Sequence, residues 1–164
     1  MQRATRQRLA WTVAVMLLLV LAAWQWRHDA SAEPGSVLDL VPEQVTRIAL
    51  GIGGAPPMHY ERRDGHWWQT DGTPRRTDDG RLAELAATAA APVISWHAAS
   101  DFDPARIGLD PPQAVLSLDG HILEFGATAA TGDQRYVRVG PRIALLPERY
   151  SPRPPTGKVR DLDR

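Results

Sequence analysis

The chain has 164 residues, enough for one domain of ordinary size with tails. Its 19 basic and 19 acidic side chains cancel, so no net charge recommends a nucleic-acid partner. The absence of cysteine excludes disulfides, thiolate nucleophiles and cysteine-based metal sites.

The first element is apolar. Residues 9–26, LAWTVAVMLLLVLAAWQW, form an uncharged run of 18 residues. As a helix rising about 1.5 Å per residue the run covers roughly 27 Å, close to a hydrocarbon core of about 30 Å. Arg3, Arg6 and Arg8 precede it, while residues 27–44 carry Arg27 against Asp29, Glu33, Asp39 and Glu43. The positive-inside rule then predicts a single-pass transmembrane helix, with residues 1–8 cytoplasmic and everything after residue 26 outside. Trp11 at one end and Trp24 and Trp26 at the other suit the two membrane interfaces. The alternative is a cleaved signal peptide ending at Ala30-Ser31-Ala32. On either reading the folded part is exported.

Residues 27–44, with Pro34, Gly35 and Pro42, read as a juxtamembrane linker, and a folded unit is expected over residues 45–150. It opens with VTRIALGI, whose Ile48, Leu50 and Ile52 alternate as in a half-buried strand. GGAPP turns the chain into a second strand, MHYERR. Asp64-Gly65 is a type I′ turn signal before a third, HWWQT, and Asp71-Gly72 and Pro74 end the meander. A helix is predicted over residues 79–90, with Leu82, Leu85, Ala86 and Ala89 on one stripe, Thr77 or Asp78 as its cap and Pro92 as its stop. VISWHA reads as a fourth strand, AVLSLDGHILEFG as a hairpin turning at Asp119-Gly120, and QRYVRVG with RIALLP as a last pair. Strands, a helix, then more strands predict an α+β domain: a small, mostly antiparallel sheet with one main covering helix. Residues 151–164, SPRPPTGKVRDLDR, read as a disordered tail.

Between the fourth strand and the hairpin lies DFDPARIGLDPP, residues 101–112. Asp103 suits a helix N-cap and Pro104 the first helical position. PARI supplies one turn, Gly108 the left-handed residue after it, and Leu109 folds back onto the core. Pro111 and Pro112 then lead to the next strand without donors. The stretch therefore reads as a structural corner.

RIGLDPP, AVLSLDGHILEFG and RYVRVG, together with VTRIAL, RRDGHWWQT and VISW in that order, resemble an uncharacterised bacterial family known as domain of unknown function 4340. The resemblance runs over about residues 37–150. It implies an envelope protein with an N-terminal anchor, in a family some of whose members are linked to ABC-type export systems; with the topology above, the expectation is a single-pass inner-membrane protein with a periplasmic domain. Here Ile107 stands where the family frequently has an aromatic residue, and the chain carries one unit where many members are larger.

No residue emerges as catalytic, cofactor-binding or metal-ligating. His28, His59, His66, His97 and His121 form neither His-x-His nor His-Glu-x-x-His. GIGG at 51–54 lacks the lysine and following helix of a phosphate loop, and no Gly-x-Ser-x-Gly occurs. Asp101 and Asp103, two apart, suggest an acid/base pair like that of a glycosidase, but Asp103 already has a capping role. Adjacent Trp67 and Trp68 face opposite sides of a strand, so one enters the core and the other is a candidate contact. The expectation is a non-catalytic accessory or scaffold domain, embedded by its anchor in the lipid bilayer, with protein partners and no cofactor. The alternatives are an envelope enzyme acting on glycan or peptide through Asp101, Asp103 or a histidine, and a ligand-sensing periplasmic domain whose small-molecule ligand is unknown.

Overall fold

The computed structural model describes Met16, Leu18 and residues 35–130 and 132–153. Among these residues no helix is long and apolar enough to cross a membrane. The helix expected over residues 9–26 lies outside them apart from Met16 and Leu18, as do residues 1–8 and the tail from 154 onward.

Two Asp-Gly pairs organise the sheet. Asp64 and Gly65 have φ of 52° and 80°, and Asp119 and Gly120 have 48° and 93°. Positive φ at both central residues is what a type I′ turn needs to match the twist of its strands. The first joins β2 (Met58–Arg63) to β3 (His66–Gln69), and the second joins β6 (Ala114–Leu118) to β7 (His121–Thr128). With β1 (Arg47–Ile52), β4 (Arg75–Arg76), β5 (Ser95–Ala98), β8 (Gln134–Val139) and β9 (Arg142–Pro147), they form one nine-stranded sheet. Its order is β4-β3-β2-β1-β6-β7-β8-β9-β5, with antiparallel neighbours throughout. The α+β reading of the folded part holds. β4 is an addition: Asp71 to Pro74 do not end the meander, because Arg75 and Arg76 pair back onto Gln69 and Trp68.

The helix α1 is Asp79–Ala87, continued by a 3-10 turn at Thr88–Ala90. Asp78 is its cap, its carboxylate accepting from the Gly80 and Arg81 amides. Leu82, Leu85, Ala86 and Ala89 are buried, and they face Ile48, Leu50, Tyr60, Trp67, Leu116, Leu123, Phe125 and Leu146 from the sheet. The folded part also starts earlier than residue 45. Val37 and Leu38 are buried, and their amides donate to the carbonyls of Ala91 (2.9 Å) and Ala89 (3.0 Å). Residues 35–44, expected as linker, thus contribute core.

The corner behaves as its residues dictate. The Leu109 amide donates to Pro104 O (2.8 Å) and the Gly108 amide to Ala105 O (3.3 Å), the two bonds of a Schellman closure, with Gly108 at φ 68°. The Asp110–Pro111 peptide is cis. Ile107 and Leu109 pack on Ile143, with Phe102 and Tyr136 alongside, and so cover the outer face of the sheet at its β8–β9 end. Gly126 makes this possible: a Cβ there would overlap the Ile107 carbonyl oxygen and approach Leu109 Cγ to 3.0 Å. The register of β7 against β8 shifts between Phe125 and Thr128. Arg135 binds across that shift, donating to Gly126 O and Gln113 Oε1 (both 3.0 Å) and to Glu148 (2.8 Å). The Arg135 guanidinium holds the Glu148 carboxyl below its usual range.

Candidate functional site

Leu82 and Leu85 anchor one side of α1 on the sheet, which leaves Arg81 half-buried and Glu84 exposed on its flank. Two clefts border that flank. The first, of about 400 Å³, lies between α1 and β2–β4. Leu50, Leu82 and Leu85 form its floor with Met58 and Tyr60, and Arg75, Arg76 and Arg81 stand on its rim. Burial pushes the Tyr60 phenol up, so it is a neutral wall at physiological pH. The second cleft, of about 450 Å³, shares Arg81 and Leu85 with the first and extends past Thr88 to Arg149 and Arg153.

The rim is cationic for a structural reason. Arg75 donates to the Gln69 amide oxygen (2.8 Å), Arg81 to the Arg153 carbonyl (2.6 Å), and Arg149 sits 5.0 Å above the Tyr150 ring. Among the described residues none of Arg75, Arg81, Arg149 and Arg153 has a carboxylate at ion-pair distance. Of the acids lining the clefts, Asp78 is committed to the α1 amides, and Glu84 borders the second cleft.

On the other side of the α1 N-terminus, Asp79 clamps strand to helix. Its Oδ1 accepts from the Trp67 amide (2.7 Å), and its Oδ2 lies 2.8 Å from His66 Nδ1 and 3.2 Å from Arg76 Nη2. Arg76 Nη2 is also 2.8 Å from His66 Nδ1. A guanidinium only donates, so it bonds the ring when Nδ1 is bare and the carboxylate when Nδ1–H points at Asp79. The Trp67 amide, then His66 and Arg76, hold the Asp79 carboxyl at about 2. A base that acidic takes up a proton poorly near neutrality, so the cluster is suited to holding α1 on β3.

The residues considered for chemistry are dispersed. Asp101 ends an exposed 3-10 turn, and Asp103 Oδ1 accepts from the Ala105 amide (3.1 Å); neither lines the clefts. His59 pairs with Asp71 (2.8 Å), His66 with Asp79, and His97 with Ser95 (3.0 Å) while its ring meets Phe102 edge-on. His121 is exposed at the start of β7, and His28 lies outside the described residues. These positions are on β2, β3, β5 and β7, with β5 at the far edge of the sheet. Among the described residues no three His, Asp or Glu side chains gather as metal ligands. GIGG is the end of β1 and the start of the turn to β2, with Gly53 and Gly54 at positive φ. Trp67 is the buried member of its pair, and Trp68 is half-buried on the opposite face, between Glu61 and Arg76 across the ladder.

Sequence reasoning did not find the arginine-rimmed clefts. Arg81 and Leu85 are four apart on one helix, so their shared side was legible. Arg75, Arg149 and Arg153 join them only through pairings between distant segments. Fold and site together define a small antiparallel-sheet α+β domain with a cationic, apolar-floored groove beside its helix. No protein-family model, curated protein or solved structure matches the chain, so the resemblance to domain of unknown function 4340 rests on the quoted motifs.

Proposed function

We propose that the protein is a single-pass bacterial inner-membrane protein whose folded unit lies in the periplasm as a non-catalytic accessory or scaffold domain of an envelope complex. An ABC-type export system is the assembly the motif resemblance favours. The observation that carries the reading is the uncharged run at residues 9–26 behind Arg3, Arg6 and Arg8. The groove supports it further. An apolar floor beside guanidinium groups that have no carboxylate at ion-pair distance among the described residues is a feature of contact surfaces, in which arginine is enriched.

Two measurements test this. Protease added to intact spheroplasts should digest the folded unit, and protection there overturns the topology. Crosslinking followed by purification from solubilised membranes should return a stable partner, and the recovery of this chain alone overturns the scaffold role.

A further inference from the structure

The two clefts beside α1 share a wall at Arg81 and Leu85 and together follow the helix from Asp78 to Thr88. We infer that this groove receives an extended acidic segment of a partner protein, with aliphatic side chains on the floor and carboxylates on the arginine rim. The inference rests on the reading of the domain as an accessory module and supplies the chemistry of its partner.

Three observations converge. Charge is the first: Arg75, Arg81, Arg149 and Arg153 lie along the groove without carboxylate partners among the described residues, and with Asp78 committed to the helix only Glu84 remains against them. Guanidinium forks match carboxylates two bonds at a time, which gives such a rim selectivity as well as attraction.

The second is shape and polarity. Met58, Tyr60 and Leu85 floor the first cleft, and a small inorganic anion would leave that apolar surface uncovered. The path from Asp78 to Thr88 is about 15 Å along a helix, the reach of four or five extended residues. Alternating carboxylate and aliphatic side chains on such a segment point to opposite sides, one set to the rim and one to the floor.

The third is backbone. β4 is a terminal strand of the sheet, and Arg75, Arg76 and Thr77 line the first cleft. Among the described residues no strand pairs with its other side, which offers main-chain donors and acceptors to an incoming strand, the mode by which many domains capture extended peptides.

The test uses the full chain in detergent micelles and a short fluorescein-labelled peptide of alternating Asp and Leu, followed by anisotropy. Binding should weaken as salt rises, and a Lys-Leu peptide should not bind. The Arg75→Glu/Arg81→Glu double variant should bind at least about tenfold more weakly. Thermal melting reports whether that variant is folded, and Arg75→Ala alone, which removes one exposed side chain, should still weaken binding measurably. Equal binding of the Lys-Leu peptide, or full affinity in both arginine variants, overturns the inference. Displacement of the peptide by phosphatidylglycerol-doped micelles as effectively as by unlabelled peptide would assign the groove to a lipid surface instead. Much tighter binding by a chain ending at Arg153 would mean that residues 154–164 compete for the groove, and the partner reading would fall. None of these readouts depends on the compartment, so a failed topology and a failed groove are separable results.

Discussion

Gly126→Ala is the sharpest probe of the corner. The new methyl would overlap the Ile107 carbonyl oxygen and sit 3.0 Å from Leu109 Cγ and 3.2 Å from its Cδ2. The corner must move outward, or β7 must shift inward against the core. Overpacking of this kind costs about 1–3 kcal/mol. Outward movement also breaks the bond from the Ala127 amide to Ile107 O, now 2.7 Å long, for about 1 kcal/mol more. Against these, alanine restricts the unfolded chain and returns about 0.5–1 kcal/mol, because Gly126 is not held at positive φ. The net expectation is a loss of about 2 kcal/mol, or roughly 6–8 °C in melting temperature for a unit of this size. Gly51→Ala is the matched control. It too is a strand glycine without positive φ, but its Cβ would meet nothing nearer than Ala55 O at 3.5 Å. It should melt at or slightly above the wild-type temperature. Melting followed by circular dichroism decides the matter. If Gly126→Ala melts within about 2 °C of wild type, or if both alanines cost the same, the close approach of corner and strand is not what that glycine serves.

Three further outcomes follow from the same geometry. Asp119→Ala removes a carboxylate that accepts from the Thr46 hydroxyl (2.9 Å) and the Arg47 amide (2.8 Å), and it leaves alanine at φ 48°; it should lower stability by about 2 kcal/mol in urea titration, and Asp119→Asn by less. Asp78→Ala should cost about 1 kcal/mol as a lost helix cap, visible as a lower urea midpoint. Asp79 titrates at about 2 when folded and near 3.8 otherwise, a depressed carboxyl, so its contribution is complete above pH 3.8 and disappears as pH falls through about 2. Urea midpoints should therefore drop across that window, and Asp79→Asn should flatten the drop.

Local chemistry was readable wherever a few consecutive residues dictate a conformation. Asp64-Gly65 and Asp119-Gly120 predicted their turns because left-handed pairs are confined to few residue types. Gly108 and Leu109 predicted the closure of the corner, and the stripe from Leu82 to Ala89 predicted the buried side of α1. What escaped depends on contacts between distant segments. Nothing in SWHA says that β5 pairs with β9 at the far edge of the sheet. Arg75 and Arg76 have no strand-like alternation and pair only because β3 is beside them. Val37 and Leu38 sit among Pro34, Gly35 and Pro42, which locally mark a linker, yet the surface left open by Ala89 and Ala91 draws them into the core. The groove shares that origin: each arginine looks solvated in sequence, and only the folded chain lines them up.

The entry of the chain into its folded part carries a mechanical consequence. Gly35, Val37 and Leu38 are fastened to the stretch just after α1 by three main-chain bonds, Val93 N to Gly35 O, Val37 N to Ala91 O and Leu38 N to Ala89 O. A force arriving from the N-terminal side meets these bonds and the buried Val37 and Leu38 before it can reach Arg47 at the head of β1. The short segment is thus the first hydrogen-bonded contact that such a force would load, ahead of the nine strands.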